Sequence, residues 1–194
     1  MSTLENVNLT GHFLIAMPGM TDPFFSKSVT FICTHNQDGA MGVVINRPTD
    51  VTYETLFEKI KVDLADAALG QNQVLYGGPV QPERGFVLHE HSGVWDSTMA
   101  IADNTALTTS KDILESVAIG AGPKKMLLAL GYAGWTAGQL EQEIAANSWL
   151  SVQAKDGQTL HKILFDAKAE DKLNASLALL GINPAMLSDV AGHA

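Results

Sequence analysis

The sequence predicts one α+β domain in which a mixed, largely antiparallel sheet, or a partly closed barrel, is flanked by helices. Three observations lead there. The first fifty residues are short runs of β-branched and aromatic residues broken by Gly, Pro, Asn and Asp clusters. Those runs lie too close together for parallel crossovers. After Arg47-Pro48 helical periodicity appears, interspersed with further strand-like runs and without the regular alternation of a doubly wound sheet.

The elements follow in order. His12 to Met17, Ser28 to Thr34 and Ala40 to Asn46 read as strands. The last two are joined through the breaker Asn36-Gln37-Asp38-Gly39 as an antiparallel hairpin. Leu56, Phe57 and Ile60 share one face of a helix that Thr49 or Asp50 would cap and that ends before Gln71-Asn72. Val74 to Tyr76, Phe86 to Glu90 and Thr98 to Ala102 are further strands. A helix from about Lys111 to Ile119, opened by Thr109 or Ser110 and closed by Gly120, leads into Met126 to Leu130, an apolar run with the look of a strand buried on both faces. Thr136 and Gln139 have capping-box spacing at the head of a helix over Ala137 to Asn147. Trp149 to Val152 is a short strand and Asp156-Gly157 a turn. Leu173, Leu177 and Leu180 mark an amphipathic helix that Gly181 stops.

Residues 1–194 are expected to form a single domain, with a core over about 10–155 and a helical C-terminal segment over about 158–194. The chain is long enough to bury a core without disulfides or metal, and 46% apolar with 17% charged residues is a globular composition. A net charge of -9 with 12 Lys plus Arg leaves no basic surface for a row of phosphates, which argues against nucleic-acid binding. No apolar stretch approaches the ~20 residues that span a bilayer. The start Met-Ser-Thr-Leu-Glu has neither part of a signal peptide. With a single cysteine, Cys33, the expected compartment is the reducing cytoplasm.

The side chains capable of chemistry are few. Cys33 shares a strand face with Val29 and Phe31, which favours inert core over a thiolate, while His35 continues that face and could supply the positive charge a thiolate needs. His89 and His91 stand two apart at a strand end, but no third ligand is spaced to complete a metal site. Gly131 to Gly138 reads as a tight strand-to-helix turn that lets Trp135 pack. Its backbone N–H groups could alternatively hold an anion, although it matches neither dinucleotide nor P-loop spacing. Gly77 and Gly78 make a turn or bring backbone close to a ligand. Asp22, Asn46 and Arg47 come from neighbouring loops, and Arg47 would pair with Asp22 or bind an anion. Glu141 and Glu143, two apart on a helix, do not share a face. These residues compose no catalytic set, no metal site and no cofactor fingerprint.

Several of these residues belong to a familiar pattern. Asp22-Pro23-Phe24-Phe25, Ser28-Val29, His35, Gly39-Ala40-Met41-Gly42, Asn46-Arg47-Pro48, Gly77-Gly78-Pro79-Val80, Gly85 to His89, Gly131 to Trp135, Gly138 to Glu141 and Asn147-Ser148-Trp149 together resemble the AlgH/YqgE family of bacterial proteins. The resemblance implies a bent mixed sheet forming a flattened pseudo-barrel with helices around it, and a link to transcriptional regulation without an established activity. Lys27 and Thr34 stand where the family pattern has an arginine and a glutamate, so an ion pair there does not carry over.

The expected function is a non-catalytic regulatory or protein-interaction domain that does not itself bind DNA. Its contact residues would come from Asp22, His35, Asn46, Arg47, Gly77, Gly78, His89 and Trp135, and its partner would be a protein. The alternative is a binder or enzyme for a small anionic metabolite, using Arg47 and a nearby histidine in one concave pocket.

Overall fold

The computed structural model describes residues 7–190. Its strands are β1 (Phe13–Ala16), β2 (Val29–Asn36), β3 (Gly39–Val44), β4 (Pro48–Thr52), β5 (Gln73–Tyr76), β6 (Val80–Glu90), β7 (Thr98–Ala100), β8 (Thr105–Thr108), β9 (Met126–Thr136) and β10 (Trp149–Val152). They form one sheet in the order β10-β1-β2-β3-β9-β6-β8-β7, with the β4–β5 pair attached to β9 through β5. Every pairing is antiparallel except β5 with β9. The expected α+β class and curled, largely antiparallel sheet are what the chain adopts.

Alternation explains why the central strands are buried on both faces. Phe13, Ile15, Val29 and Phe31 join Phe86, Leu88, Leu160, Leu164 and Leu177 in one core on the face shared by most strands. Helix α5 (Gly157–His161), a π-helical turn (Lys162–Asp166) and helix α6 (Lys172–Ala178) close that core. The alternate residues Leu14, Ala16 and Ile32 face the other way and pack with Trp135, Trp149 and Leu140 of helix α4 (Gln139–Ala145). Under helices α1 (Tyr53–Lys59) and α3 (Asp112–Ala118), Tyr53, Phe57, Ile113 and Val117 pack on Val87 and Leu128.

Two irregularities shift this alternation. In β2, Ile32 pairs with Gly42 but Thr34 with Met41, so Cys33 is an extra residue in a β-bulge. Cys33 therefore stays in the shared core, while His35 turns to the opposite face. In β9, Gly131 takes φ +74. Leu128 and Leu130 before it face the α1–α3 side, Tyr132 faces the shared core, and Ala133 and Trp135 face α4. A Cβ on Gly131 would lie 2.2 Å from the Gly78 carbonyl oxygen, and one on Gly78 would lie 2.1 Å from the Tyr132 carbonyl carbon. The Gly77-Gly78 turn thus serves a backbone-on-backbone crossing over β9.

The differences from expectation have local causes. Helix α1 starts later, because residues 48–52 pair with β5 and Thr52 supplies the cap to the Thr55 N–H. It ends at Lys59, and a separate short helix α2 (Ala67–Gly70) is capped by Asp66. Helix α3 has no side-chain cap, since the Ser110 hydroxyl bonds the Asp112 carboxylate instead. Strand β8 is an addition to the expected strands: it pairs with β7 across a turn at Asp103-Asn104, both at positive φ. Gly131 to Thr136 is strand, not turn; its backbone pairs with β3, so it offers no nest of free N–H groups. Gln139 does reach back to the Thr136 N–H at 3.0 Å, and the cap position itself is Gly138 at φ +75. Asp156 caps α5 through the Thr159 N–H. The C-terminal helical segment divides into α5, the π-helical turn, α6 and α7 (Pro184–Val190), and Leu180 lies beyond α6 and is exposed. No helix among the described residues is long and apolar enough to cross a membrane.

Candidate functional site

Arg47 follows β3 and turns its guanidinium onto the preceding loop. Nη1 donates to the carbonyls of Pro23 and Phe24, and Nη2 donates to the Ser26 carbonyl at 2.7 Å. The anticipated pair with Asp22 does not form: the Asp22 carboxylate accepts the Phe24 N–H at 2.8 Å. Asn46 completes the clamp, its side chain accepting from the Val29 N–H and donating to the Lys27 carbonyl. Lys27 sits at φ +61, a conformation the Asn46 contact helps to hold. Thus Asn46 and Arg47 act on loop 17–28 and fix it to the sheet.

His35 is buried. Its Nδ1 accepts the Leu9 N–H at 3.0 Å, which leaves the proton on Nε2 to face Glu141 Oε1 at 2.8 Å. It lies on the other side of the bulge from Cys33, so it is no partner for the thiol. Cys33 is itself buried, its S–H directed at the Phe31 carbonyl, and burial pushes the thiol pKa far up.

His89 is fully buried. Nδ1 donates to the Glu90 carbonyl and Nε2 accepts from Thr108, whose hydroxyl meets that of Thr98, each contact at 2.8 Å. Burial holds the His89 pKa below the ordinary value. His91, by contrast, is exposed, so the two imidazoles do not face a common point. His35 and His89 are thus both buried side chains. Arg47 and His35 stand at opposite ends of β3, since His35 pairs with Ala40 at its start. The expected anion-binding pocket built on Arg47 with His35 or His89 therefore does not form.

What the fold does bring together is Asp22 and Trp135. They line a cleft of about 480 Å³ with Met20, Phe25, Glu143 and Trp149. Phe25 packs on both indoles at centroid distances of 6.4 and 5.6 Å. Glu143 Oε2 accepts the N–H of each indole, and Oε1 accepts from the Gln139 amide at 2.9 Å. Just outside the cleft Phe24, 47% exposed, stacks on Tyr76 at 6.2 Å. Glu143 and Phe24 were not selected from the sequence. The available signal for Glu143 was its spacing four residues after Gln139 on a helix flanked by two tryptophans.

An α+β curled half-barrel, with an aromatic cleft at one edge and polar groups that hold loops, defines a scaffold class. The comparisons place it more narrowly. A family model described as AlgH-like matches residues 13–185, and the chain belongs to that family. It is 55% identical over 188 residues to a UPF0301 protein of Ralstonia nicotianae, covering 97% of this chain and 96% of the relative. It is 54% identical over 191 residues to one of Thiobacillus denitrificans, covering 98% and 100%. The solution structure of the AlgH protein from Pseudomonas aeruginosa matches at TM-score 0.78 and 44% identity over 100% of both chains. A crystal structure of a Corynebacterium diphtheriae protein shares the fold at TM-score 0.66 and 21% identity, covering 99% and 96%.

Proposed function

We propose that this protein is a non-catalytic interaction domain, with loop 17–28 and the cleft behind it as the contact surface. One observation carries the reading: Phe24 is a large exposed aromatic on a loop that Arg47 and Asn46 clamp to the sheet. Pre-organising an exposed aromatic lowers the ordering cost of binding, and such anchors dominate interface energies. Asp22 and Glu143 in the adjacent cleft favour a partner that presents a cation beside an apolar group. The regulatory association of the family fits a protein that acts through a protein partner, given the net charge of -9.

The test uses in-cell crosslinking with wild-type protein, the double variant Asp22→Lys/Phe24→Ser, and the control Glu54→Lys on α1, outside the loop and its cleft. At least one crosslinked partner is expected to disappear in the double variant and persist in the control. Identical partner sets for all three proteins would sink the assignment of this surface. A gel-shift assay with duplex DNA at physiological ionic strength is expected to stay blank, and a salt-sensitive shift would instead make DNA the partner.

A further inference from the structure

Strand β6 contains a further irregularity that the loop-and-cleft surface does not use. Val80 pairs with Tyr132 and Gly85 with Leu130, so residues 81–84 loop out of the ladder. Gln81 takes φ +48 and Pro82, which cannot donate to a ladder, follows it. Bulges of this kind re-aim side chains and concentrate beside binding sites. Here the bulge swings Arg84 over a second cleft of about 600 Å³, which adjoins the first at Gly134 and Trp135 and whose floor and walls include Met41, Phe86, Tyr132 and the exposed Gly134.

Arg84 is held in place there without being neutralised. Nη1 donates to Gln81 Oε1 at 3.3 Å and Nη2 to Thr109 Oγ1 at 3.2 Å, both neutral acceptors. The guanidinium carbon lies 5.8 Å from the centre of the Phe86 ring. A guanidinium has five N–H donors in a planar fork, so a carboxylate or phosphate can still be taken by the remaining ones. Below it lie the buried Phe86 and the half-buried Tyr132. The Phe86 and Tyr132 rings meet edge to face at 5.3 Å, and Gly134 leaves the β9 backbone bare at the Tyr132 ring. A glycine within a strand marks a place where another group can approach the backbone closely. Asp38 is the only acidic residue in this lining.

We infer that this cleft is a binding site for a small anion with a flat apolar body, an aryl carboxylate or aryl phosphate, in which Arg84, backed by Phe86, takes the anionic group and Tyr132 and Gly134 take the ring. The volume falls in the range of small-molecule sites. The inference does not depend on loop 17–28, and its test uses different variants.

The probes are indole-3-acetate, phenyl phosphate, the neutral indole-3-acetamide, and a short peptide ending in a phenylalanine carboxylate. Binding is read from backbone amide shifts in wild-type, Arg84→Ala and Arg84→Lys proteins, with thermal melts confirming that these exposed-site variants remain folded. At least one aryl anion is expected to move the amides of Tyr132, Gly134 and Arg84 or its neighbours. The acetamide should bind about tenfold more weakly, as should Arg84→Ala, with partial recovery in Arg84→Lys. No shift at these amides at millimolar anion would overturn the assignment. So would equal binding of acid and amide, affinity unchanged in Arg84→Ala, or a preference for the peptide over both free anions.

Discussion

Trp135 and Trp149 donate their indole N–H groups to the same oxygen of Glu143, each at 2.9 Å, with their rings edge to face 6.0 Å apart. One ends β9 and the other opens β10, strands that are not neighbours in the sheet. Glu143 thereby ties α4 to both. In Glu143→Ala two nearly buried N–H donors lose their acceptor, at an expected cost of about 2–4 kcal/mol. Glu143→Gln keeps an acceptor oxygen and should cost about 1 kcal/mol. Urea unfolding followed by tryptophan fluorescence separates the two variants, and equal losses would show that the shared acceptor is not what matters.

The clamp on loop 17–28 makes a different prediction, because three carbonyls converge on one guanidinium. Arg47→Ala should accelerate hydrogen exchange at Phe25, Ser26 and Ser28, whose N–H groups close the turns of that loop. Global stability should fall by only about 1–2 kcal/mol. Arg47→Lys keeps the charge but cannot span three acceptors with a planar fork, so it should restore little of the protection. Full recovery in the lysine variant would mean that charge alone holds the loop.

Lys172 is a buried cation whose Nζ donates to the Leu164 carbonyl at 2.8 Å, with no carboxylate partner among the described residues. Burial lowers its pKa from the ordinary 10.5 to about 8. Because the folded value lies below the unfolded one, the unfolded chain binds more protons between those two pH values. The Lys172 contribution to stability is therefore fully present above pH 10.5 and is lost as pH falls through about 8. Its span is at most about 3 kcal/mol. The buried Cys33 and Tyr53, raised by burial, act in the opposite sense at high pH, so the informative quantity is the difference between wild type and Lys172→Met. That difference should shift in favour of wild type as pH rises across the window. A pH-independent difference would show that Lys172 does not titrate there.

The fold class was legible because it rests on local periodicity. The hairpin of β2 and β3, the short strand at Trp149 and the helix that follows Thr136 each follow from residues close in sequence. The family followed from a set of motifs in order. The candidate site was legible only in part: Asp22 and Trp135 share a cleft, and Asn46 and Arg47 hold the loop beside it. What those polar groups do was decided by tertiary structure. One extra residue at Cys33 turns His35 away from the thiol, and the fold delivers three carbonyls to Arg47 in place of a carboxylate. Strand periodicity records which residues alternate, but a bulge changes which face they reach, and a long side chain takes whichever acceptor the distant chain brings within hydrogen-bond range.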